Sequence, residues 1–146
     1  MKINNSTKIA NEVVREVIQF CRPSGISNFD VEVRNSKYAF AGRAYYKGSG
    51  YHSTASPFIV VRVGQDSQFP RTFKCYQYGS QKGRVHYFAN RIECLLYVMA
   101  HELRHLWQAK GKKKRAGMAY GARGRFSEVD TEAYALNKLR AWRNSK

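Results

Sequence analysis

The chain has 146 residues, and its 26 Lys and Arg outnumber 10 Asp and Glu, for a formal net charge of +16. One domain is expected at that length, with enough chain to bury a core without disulfide staples. A hydrophobic content of 43% and an aromatic content of 14% exclude a disordered chain, and no apolar run approaches the ~18 residues of a membrane span.

In chain order, residues 6–20 read as an amphipathic helix capped by Ser6, with Ile9, Val13, Val14, Ile18 and Phe20 at helical spacing and Arg22-Pro23-Ser24-Gly25 ending it. The segment carries Asn, Lys, Glu and Arg and has no apolar signal-peptide core, so a cytoplasmic location is expected. Residues 29–34 alternate apolar and polar, as in a half-exposed strand. A Gly-, Ser- and Tyr-rich stretch over 40–56 holds a strand around Ala44-Tyr45-Tyr46 and then a loop. Phe58 to Val63 is nearly all apolar, which predicts a central strand covered on both faces. Thr72 to Tyr78 predicts another strand, and Val85 to Phe88 a short edge strand or a loop. Asn90 opens a long helix to about Ala109 whose apolar residues cover most of its circumference, so it belongs in the core. Residues 110–125 form a flexible basic loop. Ser127 caps a last helix to about Arg143, with Asp130 three residues on in a capping-box-like arrangement. The order predicts a single α+β domain over residues 1–146. Cys21, Cys75 and Cys94 are an odd number without a CxxC, expected as reduced, mostly buried thiols. Ligation of a metal, or plugging of a site, is the alternative role for one of them.

Chemistry concentrates at His101-Glu102-Leu103-Arg104-His105. Helical positions i and i+4 share a face, so both imidazoles of this HExxH can address one ion. Neutral imidazole suits Zn²⁺. Glu102 lies about 100° round the helix, placed for a general base rather than a ligand. A catalytic zinc takes three protein ligands and keeps one position open. The candidates for the third ligand are Glu128, Asp130, Glu132, His52 and His86. Three of the few carboxylates fall in Ser127 to Ala133, and Glu128 and Glu132 share a helical face. One of that pair can bind the metal while the other accepts the second N–H of a ligand histidine. An acidic first turn favoured by the helix dipole is the simpler reading of the cluster.

HELRH on a core helix, followed 23 residues after its second histidine by EVDTE on another helix, resembles the gluzincin metallopeptidases, above all their small single-domain forms, the minigluzincins. EVDTEAYALNKL is also similar to a segment of ImmA/IrrE-type peptidases, and the upstream layout to SprT-like peptidases, although the third histidine of the latter is absent. The resemblance implies a zincin-like fold and one Zn²⁺ held by His101, His105 and Glu128. Glu132, with Asp130 beside it, would orient a ligand histidine, and Glu132 stands where Asp or Asn is usual. It further implies hydrolysis of a protein or peptide substrate, with Glu102 taking a proton from the attacking water and passing it to the leaving amine. Tyr120 or Tyr134 would donate to the oxyanion. Residues 72–78 or 85–88 would hold the substrate by strand addition.

From His101 onward 12 Lys and Arg face only 4 Asp and Glu, leaving +8 beside the site. Lys110, Lys112, Lys113, Lys114, Arg115, Arg123 and Arg125 form a polycation suited to phosphates, so nucleic acid is a second expected partner, bound through its backbone. The plain alternative is a solvated loop. Three functions compete: a small zinc endopeptidase acting near nucleic acid, a nucleic-acid-binding protein on the same fold without catalysis, and a regulatory protease specific for one partner.

Overall fold

The computed structural model describes residues 1–37, 40–46, 56–75, 81–110 and 125–146. Four strands, β1 (Ile3–Asn5), β2 (Asp30–Ser36), β3 (Phe40–Tyr45) and β4 (Phe58–Gly64), form a mixed sheet in the order β1-β2-β4-β3. β4 is interior, parallel to β2 with Val31 opposite Ile59, and antiparallel to β3 with Gly42 opposite Val61. Its apolar run reflects cover on both faces: Ile59, Val61 and Val63 are fully buried, and Val60 between them is buried too. The central strand predicted from residues 58–63 is therefore present. β3 begins earlier than the tyrosines around which a strand was predicted, because its pairing with β4 starts at Phe40 opposite Val63.

β1 was not predicted. Ile3–Asn5 runs parallel to Val31–Val33, and Ser6 stays with that strand, its N–H and hydroxyl both bonded to the Val33 carbonyl at 3.0 and 3.2 Å. Ser6 therefore does not cap the first helix. Helix α1 (Asn11–Cys21) starts after Ala10, which offers no side-chain cap. Val14, Val17, Ile18 and Cys21 make its buried stripe at i, i+3, i+4 and i+7.

β5 (Arg71–Lys74) and β6 (Val85–Phe88) pair antiparallel as a separate two-stranded sheet, with Phe73 stacked on Phe88 at 4.2 Å between ring centroids. Residues 76–78 of the strand predicted from Thr72 to Tyr78 lie outside the described residues.

Helix α2 (Arg91–Lys110) begins where its cap predicts: Asn90 Oδ1 accepts the N–H groups of Ile92 and Glu93, both at 3.0 Å. It packs across β3 and β4 and is flanked by α1 and by α3 (Arg125–Ser145). Leu95, Leu96, Met99 and Leu103 on α2 and Leu136, Leu139 and Trp142 on α3 build the core between them. The start of α2 is tied to the end of α3 by Arg143, whose guanidinium donates to Glu93 at 2.7 and 3.1 Å. α3 opens two residues before Ser127, which is consequently a fully buried first-turn residue and not a cap, and Asp130 turns away to Arg104. The result is an α+β domain with three α-helices, a mixed four-stranded sheet and a small second sheet among the described residues. None of the described helices is long and apolar enough to cross a membrane.

Candidate metal centre and cleft

His101 and His105 stand one turn apart on α2, with ring centroids 5.0 Å apart. α3 packs along this stretch and brings Glu128 across from both rings. One carboxylate oxygen lies 3.4 Å from His101 Nε2 and the other 3.2 Å from His105 Nε2. A charge-assisted hydrogen bond between such groups closes to about 2.7–2.9 Å. The observed separations are at the long end of hydrogen bonding, and they also match the edge of about 3.3 Å of a tetrahedron whose corners lie about 2.0–2.1 Å from a central zinc. Two imidazoles and a carboxylate are also a donor set that zinc accepts.

His105 and Glu128 favour one another's charged forms. Burial opposes the charged form of Glu128, but hydrogen bonds and charges from His101 and His105 outweigh it and hold the carboxyl well below its ordinary range. Burial likewise pushes His105 down, and the Glu128 hydrogen bond with the charges of Glu102 and Glu128 more than reverses it.

His105 is oriented by a residue absent from the sequence-based candidates. Gln108, one turn further along α2 and buried, meets His105 Nδ1 with its Oε1 at 3.0 Å. The Gln108 amide nitrogen donates to the Ser127 carbonyl and to Asp130 Oδ2, each at 2.9 Å. With both amide hydrogens spent, the amide oxygen must face the ring, so Nδ1 carries the hydrogen and Nε2 is left as a donor for a metal. Asp130 is fixed in turn by Arg104, through Nε at 2.7 Å and a terminal nitrogen at 3.0 Å. Asp130 thus acts one step further out than expected, through Gln108. Gln108→Ala is expected to weaken zinc binding roughly 10–100-fold, measured by competition with a chromogenic chelator. Unchanged affinity would mean that Gln108 does not set the ring.

Glu102 is 6% exposed, and its carboxylate belongs to a group with His101 and His105 whose donor atoms all lie within 4.8 Å of one another. It is wedged against Gly42 of β3. A Cβ at Gly42 would stand 2.7 Å from Glu102 Cγ, 2.7 Å from a Val98 methyl and 2.9 Å from Glu102 Oε1, so only glycine lets the strand approach this closely. Burial raises the Glu102 pKa, against the opposing charges of His101 and His105. A carboxyl shifted in that direction is better matched to moving protons near neutral pH.

A cleft of about 360 Å³ opens beside these groups. β3 contributes residues 40–42 to one wall, β5 contributes Arg71–Lys74 to the other, and Tyr97, Val98, His101, Glu102 and Glu132 complete it. Of the two segments expected to hold a substrate, β5 lines the cleft and β6 does not. The β3 wall was not anticipated. Glu132 is buried and shares the cleft with His101, and it hydrogen-bonds the Cys75 thiol, as does Tyr97. Burial, reinforced by the Glu132 charge, pushes that thiol up to about 11. Cys21 and Cys94 are likewise buried and in no disulfide, as expected of structural thiols.

The structure places the remaining candidates as follows. Tyr134 is not an oxyanion donor, because its hydroxyl is committed to the Cys21 carbonyl at 2.5 Å and its ring lies beside Arg104. His86 is not brought to the other candidates: it sits on β6, outside the group of His101, Glu102 and His105 and outside the cleft lining, where burial and the nearby Arg140, Arg84 and Arg143 lower its pKa. Lys110 is exposed at the end of α2, with its ammonium on the Gly25 carbonyl. Arg125 is the first residue of α3. His52, Tyr120, Lys112, Lys113, Lys114, Arg115 and Arg123 lie outside the described residues.

No protein-family model matches the chain, and no curated protein or solved structure is detectably similar to it.

Proposed function

We propose that this protein is a small zinc-dependent endopeptidase with a zincin-like fold, as its resemblance to gluzincins implies. The observation that carries the reading is the Glu128 carboxylate set across from both HExxH imidazoles at 3.2 and 3.4 Å. His101, His105 and Glu128 would hold the ion. A zinc ion there supplies Lewis acidity, which lowers the pKa of water and polarises a carbonyl. Glu102 accepts the proton of the attacking water on its carboxylate and delivers it to the nitrogen of the leaving amine. β3, at the edge of its sheet and along one wall of the cleft, offers backbone groups to an extended peptide. The walls hold the scissile carbonyl over the histidines and restrict the water that reaches it.

The test is metal analysis joined to a protease assay. The purified chain should carry about one zinc, lose hydrolysis of an unfolded protein substrate on chelation, and regain it when zinc is returned. Zinc-loaded protein that cuts no peptide, or a chain that takes up no zinc, would overturn the proposal.

A further inference from the structure

We infer that Arg71 and Lys74 on β5 form a cationic rim that selects acidic polypeptide for this cleft. This rests on the peptidase reading above and goes beyond it by naming the substrate class. Both side chains are exposed, and both line the cleft. Among the described residues no carboxylate forms an ion pair with either, whereas Arg34, Arg104, Arg143 and Lys146 each have one. Their charge is therefore available at the mouth of the site, beside the apolar Phe40, Phe73 and Tyr97 of the cleft wall. Three residues of β-strand span about 10 Å, and they place Arg71 and Lys74 on opposite faces of β5. An extended peptide paired beside β5 has the same rise and alternation, so carboxylates three residues apart on it meet one cation on each face.

The floor of the cleft decides between the two anionic polymers that such a rim could attract. Glu102 and Glu132 line it, and Glu128 faces the same histidines. A nucleic-acid strand, with a phosphate at every nucleotide, would be drawn across these carboxylates. An acidic peptide carries charge only on its side chains, so a neutral peptide bond can lie over the floor while its carboxylates reach the rim. Strand edges also present N–H and C=O groups that match a peptide backbone.

The experiment uses the full chain loaded with zinc. Labelled peptides of equal length, one with Glu at several positions and one with Gln at the same positions, are titrated against Glu102→Gln by fluorescence anisotropy across a salt series. They are titrated in parallel against Glu102→Gln carrying Arg71→Glu and Lys74→Glu. The same peptides are given to the unsubstituted enzyme and kcat/KM is compared. The Glu peptide should bind and be cut on the order of tenfold better, with the advantage falling as salt rises, and charge reversal should abolish it. If the reversed variant is poorly folded by circular dichroism, Arg71→Gln with Lys74→Gln gives the same comparison. Equal treatment of the two peptides, or a preference that survives reversal, overturns the inference while leaving the peptidase reading intact. So does an oligonucleotide that binds through Arg71 and Lys74 more tightly than the Glu peptide. Rim-dependent binding of the Glu peptide with no cleavage of either peptide overturns the peptidase reading and leaves the cationic rim supported.

Discussion

Glu102→Gln should keep about one zinc per chain and lower kcat on the order of 10²–10⁴-fold. The amide is isosteric with the carboxyl, so it fits the space between α2 and Gly42 that admits no added Cβ. It cannot take up a proton near neutral pH, and that is the single function removed. Thermal stability should not fall, because burial already disfavours the Glu102 carboxylate and a neutral group avoids that cost. Zinc analysis, a thermal melt and kcat on one preparation separate the possibilities. Lost activity with intact zinc and an intact melt identifies a proton carrier. Retained activity would sink the assignment, and lost zinc would make Glu102 a ligand.

The parts of this site that depend on one helix were legible in the sequence. His101 and His105 are separated by four residues on a segment whose apolar residues already required a buried helix, so their common face follows from the helical repeat alone. Glu128 was legible less directly. Carboxylates are so scarce in this chain that a cluster of three drew notice, but choosing among them took the likeness to gluzincins. Gln108 carried a local signal, its i+3 spacing from His105, yet an amide earns its role only when Ser127 and Asp130 arrive from α3 to fix which way it faces. Tyr97 likewise stands one turn before His101 and was hidden among many tyrosines. Gly42 had no signal, since its need for a bare Cα comes from the approach of β3 to α2, a contact between segments some 60 residues apart in the numbering.

The misread boundaries share one cause. Ser6 and Ser127 each have a good capping side chain, and each was displaced by a longer-range partner. Ser6 is held at the end of β1 by Val33, and Ser127 is buried in the first turn of α3 with its carbonyl on Gln108. Asp130, expected to help cap α3, instead meets Arg104 in a two-pronged ion pair that ties α3 to α2 beside the histidines. At α3, the tertiary contacts that override the local signals are thus the ones that hold Glu128 beside the histidines.

Glu128→Ala should abolish stoichiometric zinc, a larger loss than the roughly 10–100-fold expected when a supporting partner such as Gln108 is removed. The rival third donor is Glu102, whose carboxylate is grouped with both imidazoles. Geometry argues for Glu128. It comes from the facing helix and sets one oxygen opposite each Nε2, at 3.4 and 3.2 Å. Glu102 follows His101 directly, so it projects about 100° away from the histidine face, and Gly42 and Val98 crowd its stem. The two carboxylates therefore predict opposite outcomes. If Glu128 is the ligand, Glu128→Ala loses zinc and Glu102→Gln keeps it, while circular dichroism of both remains that of the folded chain, since neither side chain belongs to the apolar core. If Glu102 is the ligand, the pattern inverts, and the last helix would then give the metal no ligand while still packing the core through Leu136, Leu139 and Trp142.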